Sequence, residues 1–440
     1  MERESIEAPL GELANFQGLR GVRAREKIST GDMIVSYPRS ATMDLTLATK
    51  CPCSELVDSK CWDSIPDGEW FVKLALWLVS EKHKGEGSRW KEYISLLPTT
   101  TTTPFHWTDT QLELLSYPPA VSSVREQRAL FGEIWERVSA ASQSTLQKDE
   151  LFWGMEMALS RAFDSSTPPP ANLDLLGRLM GRGTAPEAGI LKALVPMGDS
   201  LNHLSDVKPI LTFEPGNDRF TISADRAYSV GEQVFTSYGD KDNDSLLALY
   251  GFVEVGNPHD RFRLSGLGLF LAAQPGGEAR LEELAARRVV QAAIEGELLR
   301  GGLPSPATLA ALRCFVATAE ELPPEGAEGR VALEQPLSFG NELRAVELMR
   351  EHVVATRVGM AGSARGDREL LRGGKSKKRG KVGAGESTPQ GPVPLGTNER
   401  IAITFRIEKR KILLEAEETL KGYIEKSNRS GALASWPAIA

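Results

Sequence analysis

Cysteine is scarce: four residues in 440 cannot build a disulfide framework, which implies a reducing, intracellular setting. Long apolar runs are missing as well. The strongest, FVKLALWLV at 71–79, is interrupted by Lys73, and a membrane span needs about 20 apolar residues, so no membrane partner is expected. Positive charge is not in excess either. A formal charge of -7 argues against a general polyanion binder, because nucleic-acid affinity rests on Lys and Arg neutralising phosphates, and no nucleic-acid partner is expected. Cys51, Cys53 and Cys61 resemble three corners of a zinc site, but a structural zinc takes four ligands. Cys314 lies far off in an apolar, helix-like segment, so no metal is expected and the thiols read as incidental. The first residues, MERESIEAPLGELANF, carry acidic groups at positions 2, 4, 7 and 12 and no apolar signal core. The expectation is a soluble intracellular protein, cytoplasmic or in a trimmed plastid form, with the nucleus left open by a basic run, KSKKRGK, at 375–381.

What is present is ordinary globular chemistry, with 41% hydrophobic and 25% charged residues. The length calls for two or three domains. Residues 18 to 47 alternate apolar and polar around Thr30-Gly31-Asp32, which predicts a hairpin. From Trp70 the period changes, and Phe71, Leu74 and Leu78 predict one face of a helix. Helical patterns continue to Arg161, with turn chemistry at Pro118-Pro119. Strands return in LTFEP (211–215), RFTIS (219–223) and EQVFTS (232–237). Strand material thus brackets a helical block. Beyond Pro258 the pattern is of amphipathic helices, with one stripe on Val346, Met349 and Val353 and another on Leu413, Leu420 and Ile424. Between these helices, the stretch from Gly359 to Gly396, with GMAGSARGDRELLRGGKSKKRGK at its start, reads as a solvated basic linker.

Three clusters carry chemistry. One is LVPMGDSLNH, which sets Asp199 and the pair Asn202-His203 after an apolar run. Another is EQVFTSYGDKDNDSLLALYGFV, in which Tyr238 and Tyr250, each followed by glycine, flank a short helix that Asp242 or Asn243 can cap and Gly251 can stop. The third is Gly18-Leu19-Arg20-Gly21 ahead of a strand. Singly each is weak, since tyrosine in a strand is usually packing and glycine pairs usually serve backbone geometry.

In this order, with LSRAF at 159–163, the motifs resemble those of the SET-domain methyltransferases of the Rubisco large-subunit lysine methyltransferase group. The resemblance implies an α+β fold: a SET domain of small curved β-sheets with a threaded C-terminal segment, a helical insertion, and an all-α C-terminal domain. Expected boundaries are 1–65 and 191–258 for the two SET parts, 66–190 for the insertion, and 259–440 for the helical domain, with a disordered basic insertion at about 360–396. It implies S-adenosyl-L-methionine as methyl donor and no metal. Tyr238 aligns with the family's catalytic tyrosine. Gly18, Arg20, Gly21, Arg161, Asn202 and His203 fall at cofactor positions, and Asp199, Tyr238 and Tyr250 at substrate positions, with Asp199 fixing its loop rather than carrying a proton. The glycine motif departs from the family's Gly-x-Gly by one added residue, which leaves contacts from Gly18 and Arg20 open.

The residue chemistry agrees. A lysine amine, with a pKa of about 10.4 in water, has almost no free lone pair at neutral pH. A narrow, apolar, tyrosine-walled channel disfavours its charged form and can aim the lone pair. The first reading is therefore a protein-lysine N-methyltransferase acting on a non-histone protein held by the helical domain, working as a monomer. A protein-histidine N-methyltransferase on the same scaffold is an alternative, since imidazole needs no deprotonation. A non-catalytic SET-fold binding module is another.

Overall fold

The computed structural model describes residues 6–16, 18–46, 49–142, 145–164, 190–214, 218–286, 296–322, 333–372 and 396–436. It divides into two compact units. The first comprises Met1–Phe105, Ser123–Lys241 and Ala248–Gly251, and the second His106–Ser122, Asp242–Leu247 and Phe252–Ala440. The basic run at 375–381 lies outside the described residues.

The first unit holds three small sheets. Strands β1 (Gly11–Phe16) and β2 (Leu19–Ala24) form a hairpin. Strands β3 (Met33–Pro38) and β4 (Met43–Thr46) follow. After the helices come β5 (Ala162–Asp164), β6 (Ile190–Leu194), β7 (Asn202–His203), β8 (Ile210–Glu214), β9 (Arg219–Ser223) and β10 (Gln233–Thr236). The sheet orders are β1-β2-β10-β7, β3-β9-β8 and β4-β6-β5.

The hairpin expected around Thr30-Gly31-Asp32 is not formed. Gly31 makes the turn at φ +90°, but β2 and β3 enter different sheets. The partner of β2 is β1, in the stretch GELANF, and the hairpin tip is at Gly18. Five of the six β3 residues are buried, so two-sided burial, rather than hairpin pairing, explains its apolar run.

Helices Trp70–Lys84 and Lys148–Arg161 pack together between the strands. Phe71, Leu74 and Leu78 are buried as the spacing requires. At Gly154 an added Cβ would sit 3.0 Å from the Ala75 carbonyl oxygen, which sets how closely the helices approach. Pro118-Pro119 starts the helix Pro118–Ser139 instead of a turn, since a missing N–H costs nothing in a first helical turn.

The second unit has a strand pair, β11 (Arg261–Leu264) with β12 (Gly296–Leu299), and among the described residues its other regular elements are helices. Its main helices are Pro306–Val316, Phe339–Gly359 and Thr397–Ser430. The Lys409 ammonium, wholly buried, pairs with Asp244 and, at 2.8 Å, with Asp260. It also donates to the Arg261 carbonyl at 2.6 Å. Paired carboxylates keep this ammonium charged despite burial. Part of the stretch read as solvated linker is ordered. Ala364–Arg372 is a helix, and its buried Asp367 pairs with Arg406.

Candidate active site

Strand β10 is the hub. It pairs antiparallel with β2 through Val234 opposite Val22, and parallel with β7 through Phe235 opposite Asn202 and Thr236 opposite His203. The Asn-His pair and the strand leading into Tyr238 are therefore neighbours. The Tyr238 amide donates to His203 Nδ1 at 3.0 Å, and the two rings stack at 5.1 Å between centroids. The Tyr238 hydroxyl donates to the Leu201 carbonyl at 3.1 Å.

Tyr250 ends the helix Asn243–Tyr250. Asp242 caps that helix by accepting from the Ser245 amide at 2.9 Å, while Asn243 turns to Asp260. The helix stops at Gly251, φ +74°, where a Cβ would lie 2.5 Å from Thr102 Oγ1 and 2.6 Å from its carbonyl carbon. Only glycine fits there. The turn brings the Tyr250 ring onto Tyr238 at 4.6 Å, with 27° between their planes. Burial pushes the Tyr238 phenol up to about 12 and raises Tyr250 further. Both phenols therefore stay protonated at cellular pH.

Asn202 Nδ2 donates to the Arg20 carbonyl at 3.0 Å, and Gly21 lies beneath it, where a Cβ would come within 2.7 Å of that nitrogen. A side chain at Gly21 would therefore displace the Asn202 amide from its place. Gly18 stays apart from this cluster. At φ +97° it is exposed at the hairpin tip, its amide donating to Asn15 Oδ1 at 2.6 Å.

Arg161 and Asp199 are ion-paired. Arg161 Nη1 donates to Asp199 Oδ2 at 3.0 Å and to the Asp199 carbonyl at 3.1 Å. Burial works against the Arg161 charge, but the Asp199 carboxylate raises its pKa on balance. Met197, at φ +70°, precedes the turn Gly198–Ser200 that presents Asp199. A cleft of about 840 Å³ opens beside this group, with Arg20, Asp199 and Ser200 in its wall. Burial, with Arg161 nearby, lowers the pKa of the half-buried Arg20.

One cleft residue escapes the sequence reading. The buried Tyr93, from the helix Lys91–Leu96, donates its hydroxyl to Asp199 Oδ2 at 2.9 Å. In WKEYISLLP it is indistinguishable from a packing aromatic. Its place in the site emerges only from a contact 106 residues away in sequence.

None of the four cysteines is in a disulfide, and among the described residues no group of three or more His, Cys, Asp or Glu is placed to hold a metal ion. Among them, too, no helix is long and apolar enough to cross a membrane.

Three small sheets, one of which sets the strand leading into a stacked tyrosine pair beside an Asn-His strand, define a class. A sequence model of the SET domain matches residues 19–239, half of the chain, and the chain belongs to that family. The human SET domain-containing protein 4 is similar, at 27% identity over 252 residues, which cover 54% of this chain and 53% of that protein. The actin-histidine N-methyltransferase of Drosophila melanogaster is 27% identical over 335 residues, 71% of this chain and 58% of the relative. This chain spans little more than half the length of these relatives. The solved structure of the SET domain of LSMT bound to lysine and AdoHcy shares the fold. Its TM-score is 0.61 at 18% identity, covering 96% of this chain and 88% of the other. The SET architecture with a helical C-terminal region expected from the sequence is thus the fold observed.

Proposed function

We propose that this chain transfers a methyl group from S-adenosylmethionine to a side-chain nitrogen of another protein, and that the acceptor is lysine. The observation that carries the reading is the stacked Tyr238–Tyr250 pair, whose first hydroxyl is anchored on the residue preceding Asn202-His203. The SET family membership and the lysine and AdoHcy in the structurally similar LSMT support it.

The residues fit the donor. A cleft of about 840 Å³ lies in the range of pockets that enclose small ligands. Of its two lining guanidiniums, Arg20 and Arg89, Arg20 suits a carboxylate, and Asn202, bonded to the Arg20 carbonyl, brings an amide beside it. Arg20, Gly21, Arg161, Asn202 and His203 are the proposed holders, while Gly18 is left as a turn residue. When bound, S-adenosylmethionine supplies an activated methyl carbon on a sulfonium cation.

The chain's own residues prepare the nucleophile. Tyr238, neutral because its phenol is pushed up to about 12, spends its proton on the Leu201 carbonyl. Its oxygen lone pairs can then accept from the incoming amine. With Tyr250 stacked on it, the ring pair keeps water from the nitrogen, and that desolvation favours the uncharged amine. Asp199, the nearby carboxylate, is neutralised by Arg161 and does not compete to hold an ammonium. Catalysis on this account is alignment plus desolvation, without a general base. The helical C-terminal region, from about His259, is the proposed platform for the protein substrate.

A histidine acceptor is the second reading, favoured by the actin-histidine N-methyltransferase that aligns over 71% of this chain. Incubating the pure chain with S-adenosylmethionine labelled in its methyl group and a methylation-free cell extract, then mapping modified residues by mass spectrometry, tests both. Label on lysine supports the proposal and label on histidine the second reading. Cofactor binding without label on any protein supports the binding-module reading instead.

A further inference from the structure

We infer that Tyr93 is a positioning residue of the cleft: by holding the Asp199 carboxylate toward Arg161, it reserves the Arg20 guanidinium for the carboxylate end of the bound methyl donor. The inference rests on the functional reading above and names the device that sets the charge of that site.

The charged groups lining the cleft are Arg20, Arg89, Glu92 and Asp199, and Asp199 is paired with Arg161. Asp199 Oδ2 takes both the Tyr93 hydroxyl, at 2.9 Å, and Arg161 Nη1, at 3.0 Å. Its Oδ1 sits 3.4 Å from the Ser200 hydroxyl. Arg161 further grips the Asp199 main-chain carbonyl at 3.1 Å, so the ion pair is fixed in backbone and side chain together. Arg20 feels Arg161, Asp199 and Tyr93, yet among the described residues it makes no ion pair of its own, and it lines the cleft. Arg89, in the same lining, donates to the Ser40 carbonyl, and Asp199 is turned to Arg161, so Arg20 is the lining guanidinium left for an anion.

A carboxylate has about four lone-pair sites and can accept from two guanidiniums at once. Were Asp199 free to turn, it could bridge Arg161 and Arg20 and cancel the charge that receives an anion. Tyr93 prevents this with a neutral donor. Its phenol, raised well above the ordinary value by burial and by Asp199, never adds a negative charge. The hydroxyl is itself set by packing, since Tyr93 is buried with Leu97, Met43 and Leu78.

The test uses the full chain with Tyr93→Phe, which keeps the ring. S-adenosylmethionine and 5′-methylthioadenosine, which lacks the amino-acid end, are titrated calorimetrically into both proteins. A hydrogen bond to a charged group corresponds to roughly a tenfold change or more. The variant should lose about that much affinity for S-adenosylmethionine and less than about twofold for 5′-methylthioadenosine. Equal losses for both ligands, or no loss, overturn the role of Tyr93. If the wild type binds neither, the functional reading itself fails, a separate result. Asp199→Asn guards against a folding artefact: adding Tyr93→Phe to it should cost nothing further. An additive loss in the double variant would place the Tyr93 effect elsewhere and overturn the inference.

Discussion

Tyr238 meets three demands with its backbone and side chain together. Its amide fixes the His203 ring, its hydroxyl proton is taken by the Leu201 carbonyl, and its face stacks on Tyr250. Only the hydroxyl faces the proposed chemistry. Tyr238→Phe should therefore cut methyl transfer by about a hundredfold or more, the scale of removing one polar group from a transition state. Affinity for S-adenosylmethionine should stay within about threefold. Parallel rate assays and titrations check this, and equal losses in both would mean that the ring matters and the oxygen does not. At this scale the sequence was informative where residue type alone limits the chemistry. The residues of the two Tyr-Gly steps and of Asn-His are spatial neighbours because β10 lies beside β7. It was silent on Tyr93, whose partner Asp199 is brought to it only by tertiary packing. It grouped Gly18 with the cofactor positions, while the fold sets Gly18 at a hairpin tip, and a hairpin tip and a ligand-approach glycine look alike in a string of letters.

At the scale of elements, the short helix between the tyrosines acts as a lever. Asp242 caps its start, and Gly251, in the left-handed region against the Thr102 backbone, ends it. Thr102 Oγ1 donates to the Gly251 carbonyl at 2.9 Å, pinning the stop. Gly251→Ala should cost at least about 1–2 kcal/mol from the backbone conformation alone, and more from the clash. It should lower activity further by shifting the Tyr250 ring. Thermal unfolding together with turnover at a temperature where the variant is folded checks this; unchanged activity in the folded variant would detach Tyr250 from the site. The helices were legible here because their 3.6-residue period survives in Phe71, Leu74 and Leu78. Strand pairing was not. A short strand carries no label for its partner, so β2 and β3, adjacent in sequence and joined by a glycine turn, read as a hairpin while each belongs to a different sheet.

At the scale of the whole molecule, the second unit buries charge as well as apolar surface. His352 illustrates the consequence. Buried and packed against the Phe270 ring at 4.7 Å, its imidazole is lowered by burial from 6.5 to about 4. The native state therefore refuses a proton that the unfolded chain accepts between these values. Stability is unaffected above about pH 6.5, falls as the pH drops from there toward 4, and loses on the order of 3 kcal/mol at the lower end. Denaturant titrations at pH 7, 5.5 and 4.5 should show the slope, and His352→Leu should flatten it. A slope that persists in the variant would assign it to other groups. The sequence foresaw the helical stripes of this unit, with Val346, Met349 and Val353 all buried. It did not foresee the buried Lys409, since lysine in an amphipathic helix normally marks the wet face, and the carboxylates of Asp244 and Asp260 with the Arg261 carbonyl make burial tolerable.

Central to all of this is the proposal that Asn202 and Arg20 hold the methyl donor beside Tyr238. Calorimetric titration of S-adenosylmethionine into the wild type and into Asn202→Ala tests it most directly. The expected result is saturable binding of one molecule per chain, weakened about tenfold or more in the variant. No binding by the wild type, or equal affinity in the two proteins, would contradict it.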